Sequence, residues 1–160
     1  MIAVRVKNLS VRDIVRGDVI SDPKNNPCLR MEKVVAQVRV MQSPIQLKAG
    51  YEGTLHIRTG HARCKIGKIQ QRLNKQGGLL EEKPQSLKEG DFALVELDCF
   101  SRQICVETYE TFPAYGRIVF TESNLCEDRT APWSKQRQVI IVGAVKSVER
   151  KTFQKRRVRR

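Results

Sequence analysis

His61-Ala62-Arg63-Cys64-Lys65-Ile66 alternates polar and apolar residues with the period of a strand. Side chains two apart on a strand share a face, so Arg63 and Lys65 project together while Cys64 and Ile66 turn inward. The result is a small basic ridge that Lys68 extends, with Arg58 nearby and His61 beside it. Such a row of cations suits a polyanion, and the composition agrees. Thirty Lys and Arg against 17 Asp and Glu leave a net charge of +13. That excess favours polyanionic partners, RNA first among them. About half of it lies in the tail from Lys146 to Arg160, which ends Gln-Lys-Arg-Arg-Val-Arg-Arg. The alternative for the tail is a solvated end that raises solubility.

Catalytic chemistry is not encoded in a recognisable way. The chain has neither a G-x-x-x-x-G-K-[ST] loop nor a G-x-G-x-x-G turn, the devices that cradle nucleotide phosphates. Glu81 and Glu82 adjoin a turn with no His near them in sequence, and neighbours on a strand face opposite ways. No catalytic residue and no cofactor is therefore expected. Cys28, Cys64, Cys99, Cys105 and Cys126 are odd in number, irregularly spaced and without a C-x-x-C pair, and only His56 and His61 are there to help them hold zinc. We expect no metal site and no disulfide framework, only thiols that pack as small hydrophobes.

The elements that must carry the ridge read as strands. A chain of 160 residues supports one respectable core. Residues 2–7 alternate, and Asp22 to Pro27 then interrupts the pattern with two Pro and two Asn, as a linker or boundary would. Strand patterns recur at 34–40, 54–58, 61–69, 79–82, 92–97, 104–107, 117–120 and 138–148, the last apolar enough to be buried on both faces over its first half. Asn74 to Gly78 reads as a hairpin loop. The runs at 92–97, 104–107 and 117–120 are too close for crossovers and predict antiparallel pairing. Thr121 to Gln136 has no period and contains Trp133, the one tryptophan. Many strands with no convincing amphipathic helix predict a small closed or nearly closed barrel. No apolar run approaches the roughly 18 residues of a membrane span, and Met1 to Arg5 is too short and too soon charged for a signal peptide. This reading places the chain in the cytoplasm with no membrane partner.

The N-terminal VKNLSVRDIVRGDVISDPKNNP resembles the end of the second domain and the following linker of elongation factor 1-alpha, the relative of elongation factor Tu. The similarity continues in order through Ala36-Gln37-Val38, Ala49-Gly50-Tyr51, Leu55-His56-Ile57-Arg58-Thr59, Ala62-Arg63-Cys64-Lys65, Leu87-Lys88-Glu89-Gly90-Asp91, Cys105-Val106-Glu107 and Phe112-Pro113-Ala114-Tyr115-Gly116-Arg117. It resumes at Arg137-Gln138 and Val142-Gly143. Release-factor and ribosome-rescue GTPases share this barrel.

The resemblance implies an all-β chain: a six-stranded antiparallel barrel of the elongation factor domain 3 type at 28–150, a remnant of the preceding barrel and linker at 1–27, and a basic tail at 151–160. It implies that Arg58, His61, Arg63 and Lys65 lie on the family's tRNA-facing strand and turn, with Arg117 and Arg137 flanking the hairpin. An A-form stem is gripped mainly through phosphates and 2′-hydroxyls, which asks for Arg, Lys and polar groups. The expected partner is aminoacyl-tRNA or another structured RNA, with the ribosome or a translation GTPase as further partners. The family's GTPase domain is absent, so no GTP hydrolysis is expected. Thr121 to Gln136 stands where the family has only a few residues, and Val139 replaces its usual Thr, a hydroxyl within reach of a phosphate. A protein-interaction module docking on a GTPase, and a truncated product without an independent role, are the competing readings.

Overall fold

The computed structural model describes residues 7, 10, 14, 16–22, 24–25, 27, 31–42, 46–101, 104–122 and 138–150. The strand expected at 2–7 (all but Lys7), parts of the 22–27 linker, Cys28, the insert from residue 123 with Cys126 and Trp133, Arg137 and the tail 151–160 lie outside the described residues.

Alternation becomes sheet almost everywhere it was expected. The strands are β1 (Met31–Val40), β2 (Leu47–Lys48), β3 (Glu52–Ile57), β4 (Gly60–Leu73), β5 (Leu79–Glu82), β6 (Ser86–Leu87), β7 (Phe92–Cys99), β8 (Arg117–Glu122) and β9 (Val139–Arg150). No helix occurs among the described residues, so none is long and apolar enough to cross a membrane. The main sheet runs β3-β8-β9-β1-β7-β4-β5, and a further β3–β4 pairing joins its ends. The ring β3-β8-β9-β1-β7-β4 is thus a closed six-stranded antiparallel barrel, and closure leaves these six without a free edge. β5 is an appendage on the far end of β4, and β2 and β6 form a separate two-stranded pair.

One side chain in two supplies the interior. Val34, Ala36, Val38 and Val40 of β1 and Ala93, Val95 and Leu97 of β7 are all buried, with Leu55, Ile66, Ile118, Phe120 and Ile141 from the other four strands of the ring. Each such Val, Leu, Ile or Phe contributes roughly 1.5–3 kcal/mol by leaving water. Ile140 and Ile141 are both buried, so the opening of β9 is covered on two sides, as its unbroken apolar run indicated. Leu47 and Leu87, opposite each other in the β2–β6 pair, also join this core.

β4 is the longest strand because it serves three partners. Its first half pairs with β3, Cys64 to Leu73 pair with β7, and Gln71 to Leu73 pair with β5. Register shifts at Ile66/Lys68 and Ile69/Gln71 bend it as it passes from one partner to the next.

Two expectations need correction. Ile104 to Glu107 is not a strand of the barrel: only an isolated bridge at Cys105 is formed. Ile104 and Val106 are buried, so the alternation correctly marked the inward side chains. The backbone, however, makes scattered bonds, accepting from Met31 N–H at Ile104 and donating from Glu107 to Tyr115, as a strap would. Consequently β7 and β8 are not neighbours through this run: β7 lies between β1 and β4, and β8 between β3 and β9. The second correction concerns the thiols. Cys64 and Cys99 form a disulfide, and Cys105 is disulfide-bonded as well.

Candidate nucleic-acid interface

The β3–β4 hairpin positions most of the candidate cations. Arg58 and Thr59 make its two-residue turn between the paired Ile57 and Gly60. Arg58 has φ of 54°, a left-handed conformation usually left to glycine in a turn of this kind. A non-glycine residue there costs roughly 1–2 kcal/mol, a strain that is commoner at functional positions than elsewhere. The guanidinium of Arg58 has no hydrogen bond or ion pair among the described residues. Gly17 packs against this turn: a Cβ on it would lie 2.7 Å from Gly60 Cα and 3.1 Å from the Thr59 carbonyl oxygen. The segment preceding the barrel therefore touches the tip that carries Arg58.

Behind the turn, the outer face is organised in cross-strand rows. His56 stands opposite both Val119 of β8 and His61 of β4, and the two imidazoles are 6.3 Å apart between centroids. His56 Nε2 lies 3.0 Å from Thr121 Oγ1. The next row holds Arg63, whose guanidinium sits 5.7 Å from the Phe100 ring centroid and 3.9 Å from a Glu52 carboxylate oxygen. Lys65 lies one row further. It stands opposite Glu52 on one side and Asp98 on the other, and Asp98 in turn faces Lys33, which faces Glu149. Around five strands the outer charges thus run Glu52, Lys65, Asp98, Lys33, Glu149.

That alternation decides where positive potential is left. Lys33 bonds Glu96 at 3.0 Å and reaches Asp98 at 3.8 Å. Its ammonium is held above its ordinary pKa, first by the hydrogen bond to Glu96 and then by the charges of Asp98 and Glu96. Arg63 and Lys65 do share the outer face, but two carboxylates are interleaved with them in register and offset part of their field. At the tip of the hairpin stand Arg58, which has no ion pair among the described residues, and the exposed His61. Arg117, at the start of β8 two residues before Val119, lies toward the same end. Its Nη2 donates to the Tyr109 hydroxyl at 3.3 Å and its guanidinium lies 5.6 Å from the Tyr109 ring centroid, so it is both oriented and kept charged. Arg137 lies outside the described residues.

Sequence reasoning passed over His56 and Thr121 as members of this face. The signal was available for His56, because Thr54, His56 and Arg58 are spaced by two and share a side. It was not available for Thr121, whose place depends on pairing with Thr54 across 67 residues. Among the described residues no group of three or more His, Cys, Asp or Glu side chains is placed to hold a metal ion.

Residues 33–127 match the family model described as GTP-eEF1A C-terminal domain-like. The chain is 35% identical over 151 residues to elongation factor 1-alpha, oocyte form, of Xenopus laevis, covering 94% of this chain and 30% of that protein. It is 37% identical over 150 residues to elongation factor 1-alpha of Serendipita indica, covering 93% of this chain and 29% of that protein. The chain thus spans less than a third of the length of these relatives. The crystal structure of sup35 complexed with GDP superposes with a TM-score of 0.65 at 21% identity, over 78% of this chain and 27% of that one, a likeness of fold.

Proposed function

The chain belongs to the GTP-eEF1A C-terminal domain-like family, and from that premise we propose that it binds structured RNA, aminoacyl-tRNA foremost, through the tip of the β3–β4 hairpin and the adjoining start of β8. It is an elongation-factor-type barrel, and in this reading it contributes RNA binding in the cytoplasm without hydrolysing GTP itself. The observation that carries the reading is the strained Arg58, without a partner among the described residues, at a turn flanked by His61 and the ring-oriented Arg117. A turn that holds a guanidinium outward at a conformational cost is suited to a phosphate, which rewards an oriented, always charged fork of donors. Arg63 and Lys65 then play a lesser part, as polar contacts to the same stem, because Glu52 and Asp98 stand beside them.

NMR of the full chain titrated with a synthetic RNA hairpin tests the location. The proposal expects the largest amide shifts at residues 56–63 and 117–121. Shifts centred on β1 and β9, or none at all, would refute it.

A second reading has its own observation. Phe112 and Tyr115 stack at 5.5 Å, and Phe112 is 50% exposed, beside Tyr109. Such an aromatic cluster suits docking on a translation GTPase or a related complex. Capture of partners with and without nuclease separates the two readings, since a partner bridged by RNA is lost on digestion.

A further inference from the structure

Cys64 on β4 and Cys99 on β7 stand directly opposite in register, with Cα atoms 4.1 Å apart. The Phe100 N–H donates to the Arg63 carbonyl at 3.2 Å, which makes Cys64 and Cys99 a non-hydrogen-bonded pair of the antiparallel ladder, the kind in which facing side chains come closest. The two sulfurs differ in access. Cys64 is fully buried, whereas Cys99 is only partly covered at the end of its strand, next to the exposed Phe100 and Ser101. From Cys99 the chain enters the strap that leads to Ile104. Besides the disulfide, three contacts tie the start of that strap to a single residue of β4: the Phe100 N–H to Arg63 carbonyl bond, the Arg63 N–H to Ser101 Oγ bond at 2.7 Å, and the stacking of Arg63 on Phe100.

We propose that Cys64–Cys99 is a thiol–disulfide exchange site, attacked at Cys99 and selective for dithiols, whose reduction releases the Phe100–Ser101 strap from β4. A reductant thiolate bonds to Cys99 Sγ, the Cys64–Cys99 bond breaks, and its electron pair leaves on Cys64 Sγ, which takes a proton. The second thiol of the same reductant then closes on its own sulfur and expels the Cys99 thiolate, which is protonated. Two electrons pass from the dithiol, which ends as a disulfide, to the protein, which ends with two thiols. A monothiol is disfavoured for a geometric reason. Its mixed disulfide at Cys99 leaves the Cys64 thiol directly opposite, so intramolecular recapture outruns attack by a second thiol from solution. Once the bond is open, the Phe100–Ser101 segment keeps two hydrogen bonds and one ring contact to Arg63 among the described residues.

Peptide-resolved differential alkylation and amide exchange on the full chain test this. Equal thiol concentrations of dithiothreitol and glutathione are compared. Dithiothreitol is expected to convert Cys64 and Cys99 to alkylatable thiols and to speed exchange at the Arg63 and Phe100 amides by roughly tenfold or more. The β1 and β9 amides should keep their protection, and glutathione should leave the Cys64 thiol unlabelled. Cys99→Ala should show the faster exchange without any reductant, and if that variant fails to fold, the reduced native chain carries the test. Free Cys64 and Cys99 in the chain denatured without reductant, equal action of the two reductants, or unchanged exchange after reduction would each overturn the proposal. None of these readouts involves RNA, so this proposal and the RNA reading fail separately.

Discussion

Replacing Gly53 by Ala probes the seam on which the β3–β4 hairpin is mounted. A Cβ at Gly53 would lie 2.5 Å from both Phe120 Cε1 and Cζ and 2.6 Å from the Thr121 carbonyl oxygen. Carbon atoms rest at about 3.5–4.0 Å, so roughly an ångström of movement is required of a fully buried ring and of the backbone beside it. Forcing one methyl into a packed core costs about 1–3 kcal/mol, and the loss of glycine's freedom in the unfolded chain returns only about 0.4–1 kcal/mol. Gly53→Ala is therefore expected to destabilise the barrel by about 1–2 kcal/mol. With an m value of about 1–3 kcal/mol per molar urea, the unfolding midpoint falls by roughly 0.3–2 M. Phe120→Leu shortens the ring that collides, so Gly53→Ala combined with Phe120→Leu should cost less than the two separate losses added, by about 1 kcal/mol. An unchanged midpoint for Gly53→Ala, or strict additivity in the double variant, would refute the close approach of β3 to Phe120.

Arg72 Nη2 bonds Asp91 at 2.8 Å and Nη1 lies 3.7 Å from Glu81, tying β4 to the turn before β7, where Asp91 also accepts from the Lys88 amide at 2.8 Å. Arg72→Ala should lower stability by about 1–2 kcal/mol in urea unfolding, whereas Lys75→Ala in the exposed hairpin loop should leave it within about 0.5 kcal/mol. Burial, with the Glu122 charge second, raises the Tyr51 hydroxyl above its ordinary pKa of 10.0. The folded state then holds a proton that the unfolded chain releases, so this contribution is intact below pH 10 and is lost as pH rises through the folded value. Tyr51→Phe should flatten the fall of melting temperature above pH 10, and the late-titrating component of the native chain's absorbance at 295 nm should be lost in this variant. In the RNA reading, Lys65→Gln should reduce affinity less than Arg117→Gln, because Glu52 and Asp98 already offset Lys65.

The strands were legible where burial is one-sided. Val34, Ala36, Val38 and Val40 alternate with more exposed neighbours because β1 has one face in the core, and period 2 is the direct imprint of that geometry. The strap at Ile104 to Glu107 carried the same imprint, since Ile104 and Val106 also point inward, yet periodicity records side chains and says nothing of where backbone bonds go. Closure was legible in outline from many strands without a helix, but the strand order was not, because the β1–β9 seam joins residues more than 100 apart. The disulfide was hidden for a similar reason: Cys64 and Cys99 are separated by 35 residues and become neighbours only when β4 and β7 are set in register. The basic ridge shows both sides of the lesson. Arg63 and Lys65 were placed on one face from spacing alone, while Glu52 and Asp98, which decide how much charge that face presents, come from other strands.

The salt dependence of RNA binding in the full chain and in Arg58→Gly tests the central claim most directly. Glycine accepts the left-handed turn without strain, so the variant should keep its stability within about 1 kcal/mol. For a synthetic RNA hairpin, the account predicts weaker binding by Arg58→Gly at moderate salt and a log Kd against log salt slope shallower by about 1, the loss of one phosphate contact. A salt slope near zero for the native chain, or Arg58→Gly binding with the native affinity and slope, would contradict it.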